Sequence, residues 1–301
     1  VGTGLTCNIY HDIDEPLKKH YESLNCQTSR HQGFIYPVQR SNKEFRVMLL
    51  VIDVGNTNTV LGIYDGKNLV KTWRIHTETN TTADEFYFLA AGLFAGSGIE
   101  SRRIDKTVVS SVVPPVANII DSFCRKYLGH PPYWIDSKSV PEMPILYPNP
   151  AELGADRIVN AVAAFRKYQT SLIVIDFGTA TTFDAISAKG EYLGGAISFG
   201  IMIAAEALFQ KTSKLPRVGI FTAPEKVIGT DTESSMRSGI IYGYAGLVDG
   251  ITERMKIEMG SNPRVIATGG LADLMKNITK SIEAVEPFLT LEGLRIIGSG
   301  Q

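Results

Sequence analysis

Two strings in this chain place an acidic side chain at the end of an apolar run and follow it with glycine and small hydroxyl or amide residues. Val51-Ile52-Asp53-Val54-Gly55-Asn56-Thr57-Asn58-Thr59 and Val174-Ile175-Asp176-Phe177-Gly178-Thr179-Ala180-Thr181-Thr182 share that order. The pattern suits phosphate chemistry, which needs N–H donors at close range and a held metal ion. Glycine removes the Cβ that would keep the backbone away from phosphate oxygens. Asn56, Thr57, Thr179 and Thr181 add side-chain donors, and Asp53 can orient a hydrated Mg²⁺ that bridges nucleotide phosphates. One Asp-x-Gly string alone is ordinarily a β-turn. Two of them, each opening a strand-rich half, imply two related lobes that face each other.

A third signal is Val265-Ile266-Ala267-Thr268-Gly269-Gly270-Leu271-Ala272, a strand that delivers two glycines to a helix start. Such a junction suits close approach of adenosine or ribose, although it is also a common connection in its own right. A fourth is Gly154-Ala155-Asp156-Arg157, which follows the Pro-rich stretch Pro141–Pro150 and opens an amphipathic helix. An acid in a first helical turn ordinarily caps N–H groups. The functional alternative has Asp156 accept a proton from a substrate hydroxyl while Arg157 contacts an anionic group. The helix dipole predicts a lowered pKa for Asp156, so orientation is expected to matter more than basicity. No GxxxxGK[ST] string is present, nor GxGxxG after a strand, which argues against a P-loop or dinucleotide enzyme.

The elements that must position these residues follow from periodicity. Short apolar runs predict strands at Leu49–Val54, Val60–Tyr64, Leu69–Ile75, Thr107–Val113 and Tyr133–Ile135, then again at Leu172–Asp176, Thr181–Ile186, Tyr192–Ile197 and Val265–Thr268. Helical spacing predicts Ala83–Phe94, Val116–Leu128, Ala155–Tyr168, Ile201–Phe209 and a long helix from about Thr232 to Met259. The long helix carries Gly239, Gly243, Gly246 and Gly250 along one stripe. Each costs up to about 1 kcal/mol relative to alanine, so the stripe predicts close helix approach, within the lobe or across a dimer.

The 301 residues are 44% hydrophobic and 20% charged, an ordinary globular composition whose length suggests two domains. A net charge of −1 and no run of more than two basic residues leave no electrostatic footprint for nucleic acid or an anionic membrane. The most apolar stretch, Gly194 to Phe209, is too short for a membrane span and contains Glu206. Three cysteines suit neither a disulfide framework nor a CxxC metal site, and a cytoplasmic location is expected. Residues 1–47 lack sustained periodicity and are expected to be a disordered or non-native extension ahead of Met48. A metal site from Cys7, His11, Cys26 and His31 matches no standard zinc spacing. The first lobe is then expected at 48–166 and the second at 167–301.

Together, Asp53–Thr57, Gly154–Arg157, Asp176–Thr181, Gly-Gly-Ala-Ile at Gly194–Ile197 and the ending Pro287–Leu294 resemble the type III pantothenate kinases, from Met48 to the C-terminus. The resemblance implies an α/β fold of the acetate and sugar kinase, heat-shock and actin superfamily. It would have two duplicated actin-like (ribonuclease H-like) lobes, mixed sheets flanked by helices, and ATP in the cleft between them. It also implies phosphorylation of pantothenate by ATP at the first step of coenzyme A synthesis. Asp53, Val54, Gly55, Asn56, Thr57, Asn58, Thr59, Val60 and Thr179 would contact ATP, and Asp156 would be the proton acceptor. Tyr147, Gly154, Ala155, Asp156, Arg157 and Thr232 would hold pantothenate. Asp176 would bind a monovalent cation, K⁺ or NH₄⁺, and Asp53 would hold Mg²⁺ through water. The partners implied are ATP, pantothenate and a second copy in a homodimer, with neither nucleic acid nor membrane. A sugar or acetate kinase, or a non-catalytic transcriptional accessory protein on the same fold, are the alternatives; an intact Asp53, Asp156 and Asp176 set favours catalysis.

Overall fold

The computed structural model describes residues 47–300. The extension ahead of that point, its Cys7/His11/Cys26/His31 cluster included, lies outside the described residues. Strands β1 (Met48–Val54), β2 (Asn58–Asp65) and β3 (Asn68–His76) form an antiparallel meander, and β4 (Ile104–Ser111) and β5 (Tyr133–Trp134) extend it in parallel. Strands β6 (Leu172–Phe177), β7 (Ala180–Ile186) and β8 (Tyr192–Phe199) repeat the meander, and β9 (Arg264–Gly269) and β10 (Ala284–Val285) repeat the parallel additions. The two sheet orders, β3-β2-β1-β4-β5 and β8-β7-β6-β9-β10, are the same topology twice. The internal similarity of the two Asp-x-Gly strings is therefore a duplication of the whole sheet.

Helices divide the space between and outside the sheets. Helix α1 (Ala83–Ala95) opens on a capping box in which Thr82 and Glu85 satisfy each other's backbone N–H. With α2 (Pro114–Phe123) it covers the outer face of the first sheet, against Leu50, Ile52 and Val54. Helices α4 (Ile201–Gln210), α5 (Thr232–Met259) and α6 (Ala272–Lys276) belong to the second sheet's outer face, where Ile173, Ile175 and Phe177 are buried. Between the sheets lie α3 (Ala155–Tyr168) and α7 (Leu289–Ser299). Their Ile158, Val159, Leu291 and Leu294 share one core with Val51 and Val108 of the first sheet and Val174 and Ile266 of the second. Both faces of β1 and β6 are thus buried, which is why they read as unbroken apolar runs.

The last helix, α7, is legible in the sequence only as part of the family's ending, and it returns to lie on β1 and β4 of the first sheet. Glycine makes this possible. A Cβ at Gly293 would run into the Val159 carbonyl oxygen of α3, and one at Gly298 would meet Val108 Cγ2 at 2.6 Å. The glycine stripe of α5 behaves differently. A Cβ at Gly239, Gly243 or Gly246 would meet nothing within 4 Å, so the close approach expected within the lobe is not made.

Gly293→Ala is expected to destabilise the fold by about 1–3 kcal/mol through overpacking between α3 and α7. Gly243→Ala, whose Cβ would meet nothing within 4 Å in the single chain, should gain a little helix propensity in the monomer. Thermal denaturation of the two variants checks this: an unchanged Tm for Gly293→Ala would mean that α7 is not seated this tightly.

Candidate active site

Strands β1 and β6 end at equivalent points, and each delivers an aspartate to the same cavity. Asp53 pairs in register with Ser110 of β4, whose hydroxyl donates to Asp53 Oδ1. Asp176 pairs with Thr268 of β9, and its Oδ2 accepts from Asn160 Nδ2 of α3 at 3.0 Å. Asn160 is braced in turn by the Thr290 hydroxyl of α7 at 2.8 Å. Gly269, at φ 92°, sits where a Cβ would come 2.7 Å from Asp176 Oδ1. That close approach, rather than room for a ribose alone, requires glycine there.

The turns after the two strands match in detail. The Gly55 N–H donates to Asn58 O at 3.0 Å and the Gly178 N–H to Ala180 O at 3.1 Å. These two amides close the turns, which leaves neighbouring groups to face an anion. Thr77 steadies the first turn by donating to Gly55 O at 2.8 Å while its hydroxyl also meets that of Thr59 at 3.0 Å. The tips touch across the cleft, with Thr57 Oγ1 and Thr179 Oγ1 2.8 Å apart.

Helix α3 brings the third aspartate between them. Asp156 stands in its first turn, with Oδ1 accepting from the Arg157 N–H at 2.8 Å. A Cβ on Gly154 would lie 2.5 Å from that oxygen, so glycine clears its place. Asp156 and Asn160 are four residues apart on one side of the helix, which is how α3 reaches both the cavity and Asp176.

The result is one cavity of about 400 Å³. Asp53, Gly55, Asn56, Thr57, Asn58 and Val60 line it from the first motif, Asp176, Gly178 and Thr179 from the second, Gly269 and Gly270 from the third, and Asp156 from the helix. Several residues that the sequence nominates lie elsewhere. Val54 is buried in the outer core and Thr59 is buried against Thr77. Ala155 is buried in the central core, and Arg157 is buried against Asp184. Tyr147 packs edge-on against Tyr192 with ring centres 5.7 Å apart. Thr232 opens α5 beside a separate hollow between α4 and α5, lined also by Leu208, Thr230 and Gly239. Ser110, Asn160 and Arg74, the last a basic side chain in the cavity wall, belong to the candidate site and are missed by motif reading, whereas Thr290 falls within the Pro287–Leu294 string. Of the missed residues, only Asn160 leaves a trace in the sequence, in its four-residue step from Asp156.

Electrostatics set the character of the cleft. Burial, then repulsion from Asp156 and Asp53, pushes Asp176 up to about 7. Burial also raises Asp53 to about 6, against the opposing pull of the Ser110 hydroxyl and Arg74. Asp156 is raised as well, chiefly by burial, although the Arg157 N–H and charge pull the other way. The lowering expected from the helix terminus is therefore outweighed by desolvation. Among the described residues no three acidic, histidine or cysteine side chains converge closely enough to make a cage for a metal ion. A Mg²⁺ here would keep water and phosphate ligands, as that ion ordinarily does. The buried, mutually repelling carboxylates suit such a partly hydrated cation.

Duplicated five-stranded mixed sheets with a cavity at their matched strand ends define the class: the actin-like, two-lobed fold shared by ATPases and sugar kinases of the ROK type. A ROK family glucokinase from Streptomyces griseus, solved in complex with glucose and AMPPNP, is similar over 84% of this chain and 100% of its own, with TM-score 0.50 and 10% identity. A structure described as a Baf family transcriptional activator from Campylobacter jejuni is similar over 83% of this chain and 98% of its own, with TM-score 0.54 and 18% identity. At these identities the likeness is one of fold. Sequence narrows the class. A family model for type III pantothenate kinase matches residues 49–254. The type III pantothenate kinase of Desulfatibacillum aliphaticivorans is 64% identical over 250 residues, 83% of this chain and 97% of the relative. That of Geobacter sulfurreducens is 55% identical over 83% of this chain and 98% of its own length. The chain belongs to the type III pantothenate kinase family.

Raised carboxylate pKa values carry a stability consequence with a definite sign. With Asp53 and Asp176 above the ordinary 3.8, the native protein holds protons that the unfolded chain has released. Stability of the metal-free, nucleotide-free protein should therefore fall as pH rises from about 4 through about 7, and Asp176→Asn should flatten part of that slope. Tm measured across this range in chelator checks it; a level or rising profile would contradict the burial described.

Proposed function

We propose that this chain transfers the γ-phosphoryl group of ATP to the primary hydroxyl of pantothenate, giving 4′-phosphopantothenate, the first step of coenzyme A biosynthesis. The observation that carries this reading is the convergence of Asp53, Asp156 and Asp176 on one cavity in a chain of this family. Such a transfer is governed by positioning and charge stabilisation more than by covalent chemistry. The two turns, through Asn56, Thr57, Asn58 and Thr179, would hold the triphosphate, and Arg74 would face its charge. Bound Mg²⁺ would neutralise charge on the phosphates, and Asp53 would orient its water shell. Asp156, desolvated and raised in pKa, is better matched to take the hydroxyl proton than an exposed aspartate. Arg157 and Tyr147 would hold the substrate's anionic end.

Two further parts of the reading concern partners. Asp176, pinned through one oxygen by Asn160, would offer the other to K⁺ or NH₄⁺. The working form would be a homodimer, in which the open glycine face of α5 receives a second copy. Thr232, apart from the cavity yet assigned to substrate, suits a site completed across such an interface. Among the described residues no helix is long and apolar enough to cross a membrane.

Asp156→Asn is expected to lower kcat by about 10²–10⁴-fold in an ATP and pantothenate coupled assay while the protein stays folded. Unchanged turnover would remove Asp156 from proton transfer. Turnover with Na⁺ as the sole monovalent cation should be poor and recover with K⁺ or NH₄⁺, and Asp176→Asn should abolish the difference. Equal rates in all three salts would discard the role given to Asp176.

A further inference from the structure

Beside the cleft lies a buried constellation that belongs to neither phosphate turn. Arg157 is 7% exposed, and Asp184 of β7, which holds it, is 0% exposed. Asp184 Oδ1 accepts from Arg157 Nε at 2.7 Å and from the Tyr192 hydroxyl at 2.5 Å. Asp184 Oδ2 accepts from the Thr182 hydroxyl at 3.3 Å, and Thr182 lines the main cavity. The Tyr192 ring centre lies 5.9 Å from the guanidinium carbon, and the ring also packs edge-on against Tyr147. Arg157 Nη2, though buried, has no hydrogen-bond partner.

An unspent donor in this setting calls for an explanation. A guanidinium presents its N–H groups as a planar fork matched to carboxylate geometry. Asp184 engages it through Nε and leaves the Nη2 edge open. A buried N–H without an acceptor is costly, so this edge is built for a partner that arrives with the reaction. The β7–β8 register shows what leaves it room. Asp184 lies opposite Gly195, where a Cβ would run into the Phe183 carbonyl oxygen and would also sit 2.7 Å from Nη2. A Cβ on Gly194 would lie 3.8 Å from the Tyr147 ring, and Gly195 is itself exposed. With glycine at 195, no side chain of β8 stands against Nη2. The Arg157–Asp184 pair is neutral as a whole, so what it offers is a directed N–H rather than a diffuse positive field.

We propose that Asp184, with Tyr192 behind it, is a positioning and specificity-determining residue, holding Arg157 by Nε so that Nη2 stays open to the substrate's carboxylate. The inference rests on the reading in which Arg157 receives the anionic end of pantothenate. Without Asp184 the guanidinium would be an uncompensated buried charge and would lose its fixed orientation. With it, the site distinguishes a carboxylate from a neutral group of similar size, because a hydroxymethyl group cannot match the charge-assisted bond.

The test uses the full chain with pantothenate and with the neutral alcohol in which CH₂OH replaces the carboxylate. The quantity read is the ratio of kcat/KM for the acid over the alcohol. Arg157→Lys and Asp184→Asn should each lower that ratio about tenfold or more, and Tyr192→Phe about threefold. The loss should fall on KM for pantothenate and leave KM for ATP in place. Tyr192→Phe keeps the ring and its packing, so it carries the test should Asp184→Asn fail to fold. If the folded Asp184 and Tyr192 variants keep the wild-type ratio while Arg157→Lys loses it, Asp184 only packs and the inference is overturned. If Arg157→Lys also keeps the ratio, the carboxylate is read elsewhere, and the assignment of Arg157 falls together with the inference.

Discussion

Three carboxylates in one partly dry cleft repel one another, and the architecture serves to hold them there. Left to themselves, Asp53, Asp156 and Asp176 would move apart or into water. Each is instead anchored through a neighbour: Asp53 by the Ser110 hydroxyl, Asp176 by Asn160, and Asp156 by the N–H of Arg157. The raised pKa values of all three record what that confinement costs. A cleft of this character attracts cations, which is the electrostatic condition a nucleotide with its metal would meet.

The anchoring depends on the layer between the sheets. Helix α3 carries Asp156 into the cavity, Asn160 onto Asp176 and Arg157 onto Asp184, so one rigid element sets three contacts at once. Helix α7 locks it from the far side, through the glycine contact at Val159 and the Thr290 bond to Asn160. The two duplicated sheets supply matching Asp-x-Gly turns, but this central layer is not duplicated in its chemistry. The asymmetry of the proposed reaction, with Asp156 as base and Asp176 as cation ligand, would originate there.

Much of this architecture is legible in the order of the residues. Helix α3 spans Ala155–Tyr168 as its spacing predicts, and the long helix runs Thr232–Met259, because each combines a start signal with sustained periodicity. The Pro114-Pro115 helix begins on its prolines, though α-helical geometry ends at Phe123 and a wider π turn follows to Leu128. Of the two readings of the glycine stripe, close approach within the lobe or across a dimer, the lobe does not make the first; spacing cannot tell a packed face from an open one. Ser110 and Asp184 give no signal for a related reason: a lone serine or aspartate in a strand gains meaning only from what stands across from it.

The amino-acid sequence by itself determined the duplicated strand–turn pattern, the three aspartates and the family, since these are local strings whose meaning does not depend on distant partners. Tertiary structure alone decided that the aspartates share one cavity and that Asp156 is raised rather than lowered in pKa. It also decided that Arg157 keeps Nη2 without a partner. Those outcomes depend on desolvation and on contacts between segments far apart in the chain, such as Arg157 with Asp184 or Asn160 with Thr290, and no local pattern of residues encodes either.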